Sequence, residues 1–361
     1  MEWVNILKCT ITGKDLRVLA SNEISTLNEL SNKQTLWHLN GTLVDYPIDT
    51  ALVSVDGLYV YPIIKGIVVL LSDLAIVSDN SKIVGESLIA DKKLVQNFYN
   101  DRGWSKEEEG DYEDAIIFED LRPMSADYLR DCHKRVKRYL NDSGSYMLDA
   151  GSGALQFTDY LQYSDNYKYR ICADLSFQGL QECKKKLGDK AICLLCDLTK
   201  LPIKDGIADG FISLNVVYHI PKDEQINAIT EMYRVLAKNG KGVVVYDWYK
   251  HSILMNLTLL PFRAFEFFKH RIKALFAKAA GKDKPQKMLY FHAHPYEYFQ
   301  QNMPMPFKLA VWRVVSVPFM KVYLHPFLFG KQLLKLIWKW EEKNPGYTGK
   351  HGEYPLFYFE K

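Results

Sequence analysis

The chain has 361 residues, 48% of them hydrophobic, 25% charged and 13% aromatic. That composition excludes a disordered protein, and the length suits one large domain with a smaller companion. Net charge is only +3, unevenly spread: residues 1–90 hold 6 Lys/Arg against 10 Asp/Glu and residues 251–361 hold 17 against 7, which argues against a uniform nucleic-acid-binding coat and leaves a basic C-terminal face.

Residues 1–77 read as a small β-rich unit, strongest where 57–66 and 67–71 form two β-branched and aromatic runs around a Gly-containing turn. Residues 78–145 are polar, with helical spacing over 88–99 and 125–140, the second with Ser125 placed to cap it. From 146 onward apolar runs at 146–150, 170–174, 191–196, 210–214 and 242–246 alternate with helical patterns near 155–163, 177–187 and 222–238. Such alternation predicts a parallel sheet wrapped by helices. Residues 251–280 read as a basic, apolar helix, 307–322 as a long strand, 326–343 as an amphipathic helix and 354–360 as a closing strand. No run approaches the roughly 20 uninterrupted apolar residues of a membrane span. The first residues lack a signal-peptide pattern, and the six cysteines are scattered, so a reduced, cytoplasmic protein is expected.

The stretch 147–155, MLDAGSGAL, is a strand leading into a Gly-rich turn expected to open a helix. Glycines at 151 and 153 let backbone approach a ligand and expose helix-start amides. Asp174, about 20 residues further, ends the next strand where a carboxylate can accept from both ribose hydroxyls. Asp197 ends the strand after that. Together with Asp149, these acids line one crevice at the strand ends and suit a ligand without phosphates. A dinucleotide oxidoreductase would want a glycine at Gln156.

In these residues, and in Asp209–Asn215 and 231–245, the chain resembles class I S-adenosylmethionine (SAM)-dependent methyltransferases of the type 11 kind. The resemblance implies a Rossmann-like α/β fold with a seven-stranded sheet, and SAM as cofactor. It places Gly151 and Gly153 under the methionine moiety, Asp174 at the ribose, Asp197 and Leu198 at the adenine and Asn215 beside the sulfonium, with Asp149, Ser152 and Leu175 as further cofactor-binding residues. The usual third glycine is Leu155 here. Tyr99 and Arg122 are implied contacts of the cofactor's carboxylate, from a segment folded over it. The stretches at 6–9, 13–16 and 61–71 are similar to small zinc-ribbon domains, but with Cys9 alone of the four ligands, so no metal is expected and packing replaces it.

For the acceptor side, His219 follows the fourth strand and is a candidate general base, with Tyr218 shaping the pocket and Asp247 binding the acceptor or serving as base. Tyr246, Trp248 and Tyr249 are candidates for excluding water, equally suited to a core. Cys193 and Cys196 are spaced C-x-x-C but face opposite ways on a strand; His292 and His294 are expected in a loop that borders the pocket. Residues 263–287 carry eight Lys/Arg against two acids among phenylalanines, a pattern for a lipid surface, a lid or a dimer face.

The expected organisation is therefore a β-rich, degenerate ribbon-like unit (1–77), a helical connector and lid (78–145), and a methyltransferase domain (146–361) with a helical cap insertion at 251–306. The expected activity is methyl transfer from SAM to oxygen or nitrogen of a small or lipid-linked polar acceptor. rRNA base methylation and a non-catalytic binding or activator role are the alternatives. Expected partners are that acceptor, a membrane surface touched through 251–287 and a second copy of the chain, rather than nucleic acid.

Overall fold

The computed structural model describes residues 1–85, 88–106, 110–276 and 289–361, with the backbone alone for 266–276. Its strands are β1 (Leu16–Val18), β2 (Trp37–His38), β3 (Ala51–Ser54), β4 (Val60–Ile64), β5 (Ile67–Val69), β6 (Ile76–Val77), β7 (Gly144–Ala150), β8 (Tyr167–Asp174), β9 (Ala191–Leu195), β10 (Ala208–Leu214), β11 (Leu236–Val245), β12 (Lys308–Arg313) and β13 (Tyr354–Glu360). Strands β9, β8, β7, β10 and β11 lie side by side in parallel; β13 runs antiparallel on β11, and β12 antiparallel on β13. This is the expected seven-stranded Rossmann-like order. Strand order reverses between β7 and β10, which opens a crevice at their carboxyl ends. Helices such as Phe177–Leu187 and Gln225–Val235 pack on the sheet, so the central strands are buried on both faces and read as continuous apolar runs.

The N-terminal unit is joined to this sheet. Strands β4 and β5 form a hairpin whose two turn residues, Lys65 and Gly66, have φ of 51° and 77°, the left-handed pair that matches strand twist. Strand β5 then pairs in parallel with β9, with Ile67 opposite Cys193 and Val69 opposite Leu195. Val4, Ile6, Leu7 and Tyr61 belong to the same buried cluster as Leu148, Ile171 and Ile192. The Cys9 thiol meets the Tyr61 hydroxyl at 3.0 Å, and Thr10 meets it at 3.1 Å.

Four local expectations are corrected. The Gly-rich turn does not open a helix directly. Leu155, at the place of the usual third glycine, is buried with φ of 51°, and the next helix begins only at Thr158. The long strand expected over 307–322 ends at Arg313, because Ser316 accepts from the Phe319 amide and starts the helix Val317–Tyr323. Ser125 precedes the helix Ala126–Lys137 but does not cap it, since its hydroxyl donates to the carbonyls of Asp120 and Arg122. The amphipathic helix begins at Gly330 rather than 326, after a single 3-10 turn at Pro326–Leu328.

The basic helix begins as expected, at Ile253. The greater part of the basic stretch 263–287 lies outside the described side chains. Among the described residues, no helix is long and apolar enough to cross a membrane.

Candidate active site

Two cavities meet at the carboxyl ends of β7, β8, β9 and β10. The first, about 1000 Å³ including its mouth, is lined by Gly151, Ser152, Gly153, Asp149, Asp174, Leu175, Asp197, Leu198, Asn215, His219 and Tyr99. Eleven of the fourteen proposed site residues thus share one wall. Two others, Tyr218 and Asp247, line a second cavity of about 680 Å³. The cavities share Tyr99, Asp114, Gln156, Tyr160, Asn215 and His219.

The fourteenth residue, Arg122, is misplaced. Its guanidinium pairs with Asp120 at 2.7 Å and donates to the carbonyls of Met320 and Leu324, tying the connector to the C-terminal helices, away from both cavities. His292 and His294 line neither; the His294 ring stacks on Tyr298 at 3.6 Å. Tyr246 and Trp248 are core, their polar atoms donated to Gln225 and to the Gly349 carbonyl.

Backbone shape explains the first cavity. A Cβ at Gly151, where φ is 78°, would lie 2.4 Å from the Val216 side chain; at Gly153 it would lie 2.3 Å from the Trp104 ring. Asn215 follows β10 directly with φ of 61°, a conformation that asparagine tolerates better than most side chains. A π-helical turn at Tyr99–Gly103 carries the connector over the crevice, and Tyr99 stacks on Trp104 at 4.9 Å.

The three acids expected to converge do so, with different partners. Asp149 is engaged by Arg170, whose Nε and Nη2 donate to one oxygen at 3.0 and 2.6 Å. Burial, only partly offset by this pair, pushes Asp149 up to about 6. Its role is to anchor β7 to β8 beneath the turn. Asp174 accepts from the amides of Gly153 and Ser176, both at 2.8 Å, and burial pushes it up to about 6 as well. Asp197 accepts from the Thr199 amide and pairs with Lys92 at 2.6 Å; Lys92 also pairs with Glu224.

His219 is set as a neutral acceptor. Its Nδ1 lies 2.7 Å from the Tyr290 carbonyl, which can only accept, so Nδ1 carries the hydrogen and Nε2 keeps its lone pair. Burial lowers its pKa to about 4. Asp247 is pushed up to about 7 by burial, with the Tyr249 amide and Arg313 opposing.

Sequence reading missed Lys92, Asp114, Gln156 and Arg313. A lone arginine inside the apolar run of β12 was the available signal; Asp114, in a short helix amid alanine and isoleucines, was another. Among the described residues, no cluster of His, Cys, Asp and Glu could hold a metal ion.

The first cavity fits a nucleoside with a methionine tail. Trp104 Nε1, Gln156 Oε1 and Asn215 Oδ1 line it buried and without hydrogen-bond partners among the described residues, an arrangement that a polar ligand relieves. Glycines allow a close approach and Asp174 offers an acceptor for hydroxyls, while the cations of the lining, Lys92 and Arg170, are each paired with an acid, Asp197 and Asp149.

Residues 148–244 match the family described as methyltransferase domain. Over these residues the chain carries a methyltransferase domain. Over 136 residues it is 31% identical to "Probable tRNA methyltransferase 9B" of Mus musculus, covering 37% of this chain and 28% of that protein. Over 160 residues it is 26% identical to an uncharacterized protein of Methanocaldococcus jannaschii, covering 42% and 60%. The chain thus spans less than two thirds of these curated relatives. Geranyl diphosphate C-methyltransferase from Streptomyces coelicolor, solved with S-adenosylhomocysteine, shares 14% identity over 76% of this chain and 99% of that one, with a TM-score of 0.44.

Proposed function

We propose that the chain transfers a methyl group from SAM to an oxygen or nitrogen atom of a small or lipid-linked polar acceptor, with the first cavity holding SAM and the second the acceptor. The observation that carries this reading is the shared wall: Tyr99, Asn215 and His219 face both chambers. The bound cofactor supplies an electrophilic methyl carbon. The protein's part is placement, which alone can contribute roughly 7–11 kcal/mol, and removal of a proton from the acceptor. Asp174 and the backbone of Gly151–Gly153 grip the nucleoside and tail, with Asp197, Leu198 and Leu175 beside them. His219 Nε2 accepts a hydrogen bond from the acceptor, Tyr218 closes the floor, and Asp247 holds the polar end.

Calorimetric titration of the full chain with SAM and with S-adenosylhomocysteine tests the cofactor half. Incubation with methyl-labelled SAM and, separately, a lipid extract, a small-molecule pool and bulk RNA tests the acceptor half. Label in lipid or small molecules supports the reading. Label in RNA alone replaces it with nucleic-acid methylation, the reading favoured by the name of the mouse relative. Binding with no label in any pool favours the non-catalytic role.

Further proposals concern the flanks. The ribbon-like unit (1–77) acts as a structural extension of the sheet, supported by the β5–β9 pairing. The helical segment after Tyr249 contacts a lipid surface or a second copy of the chain, supported by exposed Ile253, Leu257, Leu260 and Phe265. Co-sedimentation with anionic vesicles separates those two.

A further inference from the structure

We propose that the acceptor is an amine, held as its ammonium ion in the second chamber against Asp247. This rests on the methyl-transfer reading above and names its substrate class. Charge balance carries it. Arg313, 1% exposed, pairs with Glu119 at 2.6 Å at the chamber wall and also acts on Asp247, while the buried Glu353 carboxyl beside Asp247 adds a further acid, so acids outnumber Arg313 there. Asp114 and Asp247 line the same chamber, each 9% exposed, and neither forms an ion pair among the described residues. Asp114 also faces the first cavity, where the cofactor's own positive charge can answer it; Asp247 faces only the second.

Asp247 presents a free oxygen. Its Oδ1 accepts from the Tyr249 amide at 2.7 Å, and its Oδ2 receives no hydrogen bond among the described residues. A neutral acceptor would leave this buried carboxylate with only Arg313, itself paired with Glu119, to answer its charge, whereas an ammonium brings both a counter-charge and N–H donors. The walls point the same way. Phe118, Tyr160, Tyr218, Phe291 and Tyr354 surround the space, and aromatic faces beside a carboxylate hold a desolvated cation. Tyr354 already serves one cation in this way: the Arg313 guanidinium lies 4.4 Å from its ring centre.

The chemistry balances. The ammonium passes one proton to the Asp247 carboxylate, and the freed nitrogen lone pair bonds the methyl carbon of SAM. The carbon–sulphur bond breaks with its electrons kept on sulphur, leaving neutral S-adenosylhomocysteine and a methylated ammonium. Burial that raises Asp247 to about 7 suits it to that proton near neutrality.

The test uses full-length protein saturated with S-adenosylhomocysteine and titrated with n-butylammonium, n-butanol and butyrate, read by calorimetry and saturation-transfer NMR. Butylammonium should bind at least about tenfold more tightly than butanol, and Asp247→Asn should lose about tenfold or more of that affinity. Asp247→Glu should keep the preference, and both variants should still unfold cooperatively and keep their S-adenosylhomocysteine affinity. Equal or tighter binding of butanol or butyrate, no butylammonium binding, or an Asp247→Asn variant with unchanged affinity overturns the proposal. Failure of S-adenosylhomocysteine itself to bind would instead strike the methyl-transfer reading, and the amine inference with it.

Discussion

Replacing Gly153 by alanine probes the turn that both shapes the fold and walls the first cavity. Two costs can be worked from the structure. With φ at 52°, an alanine sits in the left-handed region, roughly 1–2 kcal/mol worse than in its preferred conformation. Its Cβ would also lie 2.3 Å from Trp104, so the ring must retreat by about an ångström to reach ordinary contact at 3.4 Å. That ring is pinned by Tyr99 at 4.9 Å and edge-on by Tyr112 at 6.0 Å, and loosening such pairs costs roughly 0.5–1.5 kcal/mol each. The total, about 2–5 kcal/mol, should appear as a lowered urea midpoint with an unchanged slope. Affinity for S-adenosylhomocysteine should fall at least about tenfold, since the same turn walls the first cavity. Adding Trp104→Ala removes the clash but not the backbone cost, so the two substitutions should be coupled by about 1 kcal/mol or more in a double-mutant cycle. A Gly153→Ala protein within about 0.5 kcal/mol of wild type, with unaltered binding, would refute the reasoning.

Arg170→Met should destabilise the fold by about 3–5 kcal/mol in urea, because it strands the buried Asp149 carboxylate; a loss below about 1 kcal/mol would show the pair to be dispensable. Asp174→Asn should weaken S-adenosylhomocysteine binding by about 10- to 100-fold, as charged hydrogen bonds contribute about 1.5–3 kcal/mol, and a change under about threefold would remove Asp174 from the site. His219 gives a pH signature. Below about pH 6.5 the unfolded chain takes up a proton that the folded histidine refuses until about pH 4, so this residue lowers stability as pH falls through that window. The whole effect is about 3 kcal/mol. Asp149, Asp174 and Asp247, raised to about 6, 6 and 7, act in the opposite sense, losing stability as pH rises from about 4 to their folded values. Subtracting the stability curve of His219→Gln from that of wild type isolates the histidine, and a difference that is flat between pH 4 and 7 would contradict its burial as a neutral ring.

The strand–helix alternation, the Gly-rich turn and the three acids at strand ends could be read from residues alone, because each depends on local pattern: apolar runs of strand length, glycines where φ is positive, carboxylates at or next to the ends of successive strands. The helix expected at 155 is a case where local pattern was insufficient, since Leu155 takes a left-handed turn that its own side chain disfavours and buried packing holds in place. Arg122 went astray because an arginine has no periodicity to say what it will meet; carbonyls at Met320 and Leu324, some 200 positions away, claimed it. The second cavity is of the same kind. Glu119 comes from the connector, Asp247 from beyond β11, Arg313 from β12 and Tyr354 from β13, and nothing in their spacing announces that they share a chamber. Chain pattern by itself determined the Gly-rich turn and the acids that wall the first cavity, because one βαβ neighbourhood builds that half of it. Only the packed structure decided what lines the second cavity, because charges drawn from distant segments acquire meaning from which of them end up buried in an ion pair and which, like Asp247, do not.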